Sequence, residues 1–185
     1  MSRILIVSGS PNKTSRLRGL NEYAFQYLLE KGFSISILDV IDIPAENLVL
    51  AQFDSEAVKS ATQKVEEADA IIFTIFTSQV YKASYTGVLK TFLDLLPQRG
   101  LEDKVVLPFV LGGTLAHFLT IQYSFHPVFS TLAAEHILQG IYVLDSDIVW
   151  NDNGTLDIED TSQLRIHKAL DQLSGVLASL PIDQK

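Results

Sequence analysis

The sequence predicts an α/β fold, a three-layer α/β/α sandwich around a five-stranded parallel sheet. Three observations predict it. Apolar runs of strand length alternate with amphipathic patterns of helix length along the whole chain, the order that gives right-handed crossovers and a parallel sheet. Two interior runs, Ala70 to Phe76 and Val105 to Leu111, are almost continuously apolar, as strands covered on both faces are. Polar or glycine-bearing loops follow three strands, at Ser8–Arg16, Thr77–Tyr81 and Gly112–Thr114, and open parallel sheets bind ligands beyond such carboxyl ends.

The first strand is Arg3 to Val7. A helical pattern from Ser15 to Lys31 puts Leu17, Leu20, Ala24, Tyr27 and Leu28 on one face, with Gly32 as its stop. Ser34 to Asp39 alternates like an outer strand. Ser55 caps a helix with the stripe Val58, Ala61, Val65 and Ala68. After the strand Ala70–Phe76, the pattern from Ser84 to Leu96 is apolar on most sides and predicts a helix buried on most sides. From Val105 to Ala134 there is no Asp, Glu, Lys or Arg. Pro108, Gly112, Gly113 and Pro127 divide that stretch into a strand, a loop and a helix over about Leu115–His126, each too short to span a bilayer. Gln139 to Leu144 is the last strand and Asn151-Asp152-Asn153-Gly154 a turn. The closing helix carries Ile166, Leu170, Leu173, Leu177 and Leu180.

The 185 residues form one expected domain, 1–185, with no repeat and no linker. Zero cysteines exclude disulfides, thiolate metal sites and a cysteine nucleophile. A net charge of −8 argues against nucleic-acid binding. No leader or membrane segment is read at the amino end, so a cytoplasmic location is expected. The hydrophobic fraction of 47% is high for a small domain and points to subunit contacts.

The stretch Val7-Ser8-Gly9-Ser10-Pro11-Asn12-Lys13-Thr14-Ser15-Arg16 runs from a strand through hydroxyl-rich residues into a helix start. First-turn amides and the helix dipole favour an anion there. Gly9 is able to take positive φ, and Arg16 adds a charge-assisted donor. The loop has neither the Lys-Ser/Thr pair of a nucleotide-hydrolase phosphate loop nor the three glycines of a dinucleotide fingerprint. It reads either as a cradle for one phosphate bound without metal or as an ordinary turn in which Ser15 is only a helix cap. Asp145-Ser146-Asp147 reads as a solvated turn rather than a Mg²⁺ site. His117, His126, His136 and His167 show no metal-binding spacing, and a structural role is expected for His117 and His167.

Gly9-Ser10-Pro11 with Ser15-Arg16, Val80-Tyr81-Lys82-Ala83-Ser84-Tyr85-Thr86-Gly87 with Phe92-Leu93-Asp94-Leu95-Leu96-Pro97, and Gly112-Gly113-Thr114-Leu115-Ala116-His117 with Tyr123 before Pro127-Val128 together resemble the NADPH-dependent FMN reductase family. The likeness is strongest to the branch serving two-component alkanesulfonate monooxygenases, and it runs from residue 3 to about residue 150. The resemblance implies a flavodoxin-like fold, FMN with NADPH or NADH, hydride transfer to the flavin, and release of reduced FMN to a partner monooxygenase. Separately, the uncharged stretch 105–134 and the apolar pattern after Ser84 lead to the expectation of a homodimer or homotetramer.

Carried over by motif, Ser8, Ser10, Ser15 and Arg16 would hold the FMN phosphate. Ser78, Gln79, Val80 and Tyr81 would pass beside the ribityl chain and the ring, and Gly112, Gly113 and Thr114 would line the ring's other edge. Tyr123 would lie in a one-residue helical bulge at a subunit interface and take part in flavin handling, against the plainer reading of a buried interface aromatic. No protein acid, base or nucleophile is implied, since the flavin carries the chemistry. Where the family usually has proline, this chain has Gln79, which frees φ and adds a backbone donor. Two other readings remain open: an FMN-retaining reductase of a quinone, azo dye or metal oxyanion, and a flavodoxin-type electron carrier without NAD(P)H activity.

Overall fold

Alternating burial along parallel strands places every other side chain on one of two apolar layers, and the architecture follows from that. The computed structural model describes residues 1–77, 82, 84–151 and 156–180. Strands β1 (Arg3–Ser8), β2 (Ser34–Asp39), β3 (Ala70–Thr77) and β4 (Val105–Gly112) pair in parallel, and the fifth position is filled by two short segments, β5 (His136–Ile137) and β6 (Ile141–Leu144), both on β4. The order β2-β1-β3-β4-β5 is that of flavodoxin.

The predicted strand Gln139–Leu144 is thus shorter at its start and is preceded by a separate piece. The break faces Pro108, which has no N–H for the ladder. Gly140, at φ +79°, lets the edge pass, because a Cβ there would come within 2.9 Å of the Pro108 carbonyl oxygen.

Ile4, Ile6, Ile72, Leu107 and Phe109 point to the face covered by α1 (Arg16–Glu30) and α6 (Asp160–Ser179). Leu5, Val7, Phe73, Ile75 and Val110 point to the other face. That face is covered by the short α2 (Ala45–Val49), α3 (Glu56–Glu67), α4 (Gly87–Leu93) and α5 (His126–Thr131). The stripes expected on α1, α3 and α6 are the buried ones, and the Ser55 side chain accepts from the Val58 amide as a cap. His167 is structural as expected: its Nε2 is 2.7 Å from the Tyr23 hydroxyl and its ring stacks on Tyr27 at 4.2 Å.

Three segments differ from the sequence expectation. The helix predicted over Ser84–Leu96 is only Gly87–Leu93. Pro97 disfavours a helical Leu96, and Leu95, Leu96 and Leu101 are buried from turns instead. The helix predicted over Leu115–His126 is a 3₁₀ turn (Leu115–His117), a π-helical turn (Ile121–Phe125) and then α5. Pro127 does not stop it, because the first turn of a helix does not use that N–H. Finally, β7 (Ile148–Trp150) and β8 (Leu156–Ile158) form an antiparallel hairpin, around a predicted turn whose residues 152–154 lie outside the described residues. Trp150 covers Gly19 of α1, where a Cβ would be 2.3 Å from the indole. Among the described residues no helix is long and apolar enough to cross a membrane.

Two capping contacts give testable consequences. Thr86 caps α4 by accepting from the Leu89 amide at 3.2 Å, and its hydroxyl donates to the Gly9 carbonyl at 2.6 Å. Thr86→Val keeps the shape but removes both bonds, and is expected to lower unfolding free energy by about 1–3 kcal/mol in urea titrations.

Glu159 caps α6 by accepting from the Ser162 amide at 3.0 Å, and this hydrogen bond holds its carboxyl below the usual range. A lowered folded-state value gives stability that is present above the unfolded value and is lost as pH falls through the folded one. Glu159→Gln should therefore flatten the loss of urea stability between about pH 5 and pH 3.

Candidate functional site

The carboxyl ends of β1, β3 and β4 lie side by side, because Ser8 is in register with Thr74 and Thr77 with Gly112. The first loop is anchored at Gly9, whose amide donates to the Thr74 carbonyl at 2.8 Å and whose carbonyl accepts from Thr86. Gly9 does not use positive φ; among the described residues the glycines that do are Gly32 and Gly140. The reason for glycine here is the approach of α4, since a Cβ would sit 2.9 Å from the Leu89 Cβ.

Beyond it, the Ser10 hydroxyl donates to the Asn12 carbonyl at 2.8 Å and lies 2.9 Å from the Ser15 hydroxyl. Ser15 occupies the cap position of α1 but makes no side-chain cap. The hydroxyl faces the loop instead of the helix amides. Thr14 is used within the loop, its amide and hydroxyl both bonded to Asn12 Oδ1 at 2.9 Å.

Ser8, Ser10 and Ser15 line one cavity of about 240 Å³ together with Lys13 and Arg18; Asp39, Ile41 and Asp42, at and after the end of β2, form its far wall. Ser8 and Ser10 are buried, while Ser15 is half-buried. The fourth expected residue, Arg16, is not in this lining: its Nη1 lies 2.6 Å from Asp145 Oδ2, beyond the end of β6. Lys13 pairs with Asp42.

Sequence reasoning missed Arg18, Asp39 and Asp42. Arg18 stands three residues after Ser15, on the same face of the first helical turn. Asp39 is in register with Ser8, a placement that only the strand pairing reveals. Asp145 and Asp147 are not a solvated turn either, because Asp147 accepts from the Ser162 hydroxyl at 2.6 Å. Among the described residues no cluster of three potential metal ligands occurs.

Ser78, Gln79, Val80 and Tyr81 lie outside the described residues. At the third loop the two glycines have different reasons. A Cβ on Gly112 would collide with Tyr142, 1.8 Å from its hydroxyl oxygen. That hydroxyl donates to the Thr114 carbonyl at 2.7 Å, and burial pushes the phenol up, so it stays a donor. Gly112 thus makes room for protein. Gly113 is exposed, with nothing within 4 Å of a Cβ, and leaves its backbone open to a ligand. Thr114 is exposed and accepts from the Ala116 amide. Tyr123 lies in the π-helical turn, with the ring 74% exposed while Ile121 and Phe125 are buried. Inserting one residue into a helix re-aims the side chains around it.

The family described as NADPH-dependent FMN reductase matches residues 2–148. The chain is 40% identical over 180 residues to an FMN reductase (NADPH) of Pseudomonas putida strain KT2440, covering 96% of this chain and 89% of the relative. It is 42% identical over 147 residues to the FMN reductase (NADPH) of Escherichia coli K12, covering 80% and 75% respectively. Among solved structures, the apo form of the NADH:FMN oxidoreductase EMOB superposes with a TM-score of 0.86 at 31% identity, covering 98% of this chain and 92% of that one. Strand order, the adjacent ends of β1, β3 and β4 and these similarities agree: the chain belongs to the NADPH-dependent FMN reductase family, and is an oxidoreductase that works with FMN and a nicotinamide nucleotide.

Proposed function

We propose that this chain binds FMN as a substrate, oxidises NADPH or NADH, and supplies the reduced flavin to a monooxygenase in the cytoplasm. The observation that carries the site assignment is the cavity in which Ser8, Ser10 and Ser15 meet Lys13 and Arg18. Three hydroxyls and two cations at a helix start are a donor set suited to a phosphate monoester. FMN supplies the redox chemistry when bound, taking up a hydride at N5 from nicotinamide C4.

The chain's own residues bind and orient. Ser8, Ser10, Ser15 and Arg18 hold the phosphate. Arg16 follows Ser15 directly, outside the cavity lining, and would add its charge to the same anion on leaving Asp145. The open backbone at Gly113 and Thr114, beside the Gly112 position, lines one edge of the ring, and the family motif alone supports a role for Ser78, Gln79, Val80 and Tyr81 beside the ribityl chain and the ring.

The role of Tyr123 in flavin handling rests on its family motif and its place in a π-helical turn, a feature found often at functional sites. Leu115, Phe118, Leu119 and Tyr123 are all exposed apolar or aromatic residues of one segment, and such a patch supports a homodimer or homotetramer that covers it. Transfer of reduced flavin to a monooxygenase is supported by the likeness of the loop motifs to the alkanesulfonate branch.

Nicotinamide oxidation followed by absorbance tests the reading. Turnover that rises with added free FMN is expected; turnover that needs a quinone or dye but no added FMN would replace it with a flavin-retaining reductase, and no turnover with a carrier. Ser10→Ala with Ser15→Ala should weaken FMN by at least about tenfold, on the scale of one charged hydrogen bond. Riboflavin, which lacks the phosphate, should bind as before, and an equal loss for both flavins would move the phosphate elsewhere. Tyr123→Ala is expected to change flavin content on purification or the NADPH oxidation rate, and wild-type values for both would remove its proposed role.

A further inference from the structure

The cations of the first loop are largely answered by the protein itself. Lys13 is paired with Asp42, and Arg16 with Asp145 at 2.6 Å. Asp39, with no cation of its own among the described residues, lines the same cavity as Ser8, Ser10 and Ser15. These carboxylates come from two different places, Asp39 and Asp42 from the end of β2 and Asp145 from beyond β6, so they flank the loop on both sides. A phosphate entering the cradle competes with Asp42 for Lys13 and with Asp145 for Arg16.

We propose that Asp42 and Asp145 are built-in counter-ions that set the flavin affinity of this protein, holding the phosphate site below the strength its cations could give. The proposal rests on the phosphate assignment made above. Its physical basis is a difference: binding gains two charge-assisted contacts to the anion and gives up two contacts to carboxylates. The net gain is smaller than either term. The Lys13–Asp42 pair is mostly exposed, 64% and 57%, and the Arg16–Asp145 pair partly so, 49% and 29%, so each exchange is screened and modest, the first more than the second. Such a site favours exchange of flavin over retention, and the direction is opposite to that of a positioning role. If Asp145 served to orient Arg16 for the ligand, removing its charge would weaken binding.

The test is fluorescence titration of FMN and riboflavin against the full-length wild type, Asp42→Asn, Asp145→Asn and the double variant, with stopped-flow displacement for the release rate and a thermal melt to confirm folding. Each single variant is expected to bind FMN about two- to fivefold tighter, and the double variant about tenfold tighter, with near-additivity for separate sites. Release should slow in step, riboflavin affinity should stay the same, and the gain should shrink as salt is raised.

Unchanged or weaker FMN binding in folded variants overturns the proposal, and weaker binding would make these carboxylates positioning residues. Ser10→Ala with Ser15→Ala, run alongside, separates the two levels. If that variant loses FMN affinity while the aspartate variants do not change, only the counter-ion proposal fails. If it loses none, the phosphate assignment fails and the counter-ion proposal falls with it.

Discussion

The junction of Gly9 with α4 is the contact on which the candidate site depends. Its amide bonds to β3 and its carbonyl accepts the hydroxyl of Thr86, while Leu89 rests where a side chain would be. One residue therefore ties together the end of β1, the end of β3 and the start of α4. The hydroxyl of Thr86 serves in two bonds and is fully buried, where an unmade hydrogen bond is costly. The first loop leaves this point with its course already set, and Ser10 and Ser15 meet because of it.

The sheet does the rest of the positioning through register. Parallel pairing brings Ser8, Thr74, Thr77 and Gly112 into adjacent rows, so loops distant in sequence open on the same edge. The two layers of apolar side chains hold that edge rigid, and the interruption at Pro108 and Gly140 falls on the outer side of β4, away from the first loop. A second irregular stretch, from the 3₁₀ turn at Leu115 to the π-helical turn holding Tyr123, carries exposed aromatic and apolar residues.

Strands β1 to β4 and helices α1, α3 and α6 were legible from periodicity, because continuous apolar runs and one-sided stripes report burial directly. Spacing alone left the first loop open between a phosphate cradle and a capped turn, and only the family motifs favoured the flavin reading. Other features carry no periodic signal. The Ser84–Leu96 pattern is apolar enough for a helix throughout, yet α4 ends at Leu93, and Pro97 and tertiary packing bury Leu95 and Leu96 from turns. The hairpin of β7 and β8 has three-residue strands, too short to announce themselves. The reasons for the glycines were hidden as well: Gly9 and Gly112 are filled spaces, against Leu89 and Tyr142, and a sequence shows a missing side chain without showing what occupies its place. Arg18 and Asp39 reach the cavity through helical and strand register, and Arg16 is turned to Asp145 by a contact spanning 129 positions.

A chain of net charge −8 that takes phosphorylated ligands meets a general repulsion at long range. Lys13, Arg16 and Arg18 stand within six consecutive residues, and on the proposed phosphate assignment that local density would let the first loop attract an anion against the field of the whole molecule. The same density is unfavourable while the loop has no ligand, since like charges so close raise each other's cost. Carboxylates beside Lys13 and Arg16 relieve that repulsion in the folded chain and leave Arg18 as the cation on the cavity wall without an ion pair among the described residues. On the proposed phosphate assignment, stability of the empty loop and strength of phosphate binding would draw on the same side chains in opposite directions, and the flavin affinity would be fixed by where that opposition balances.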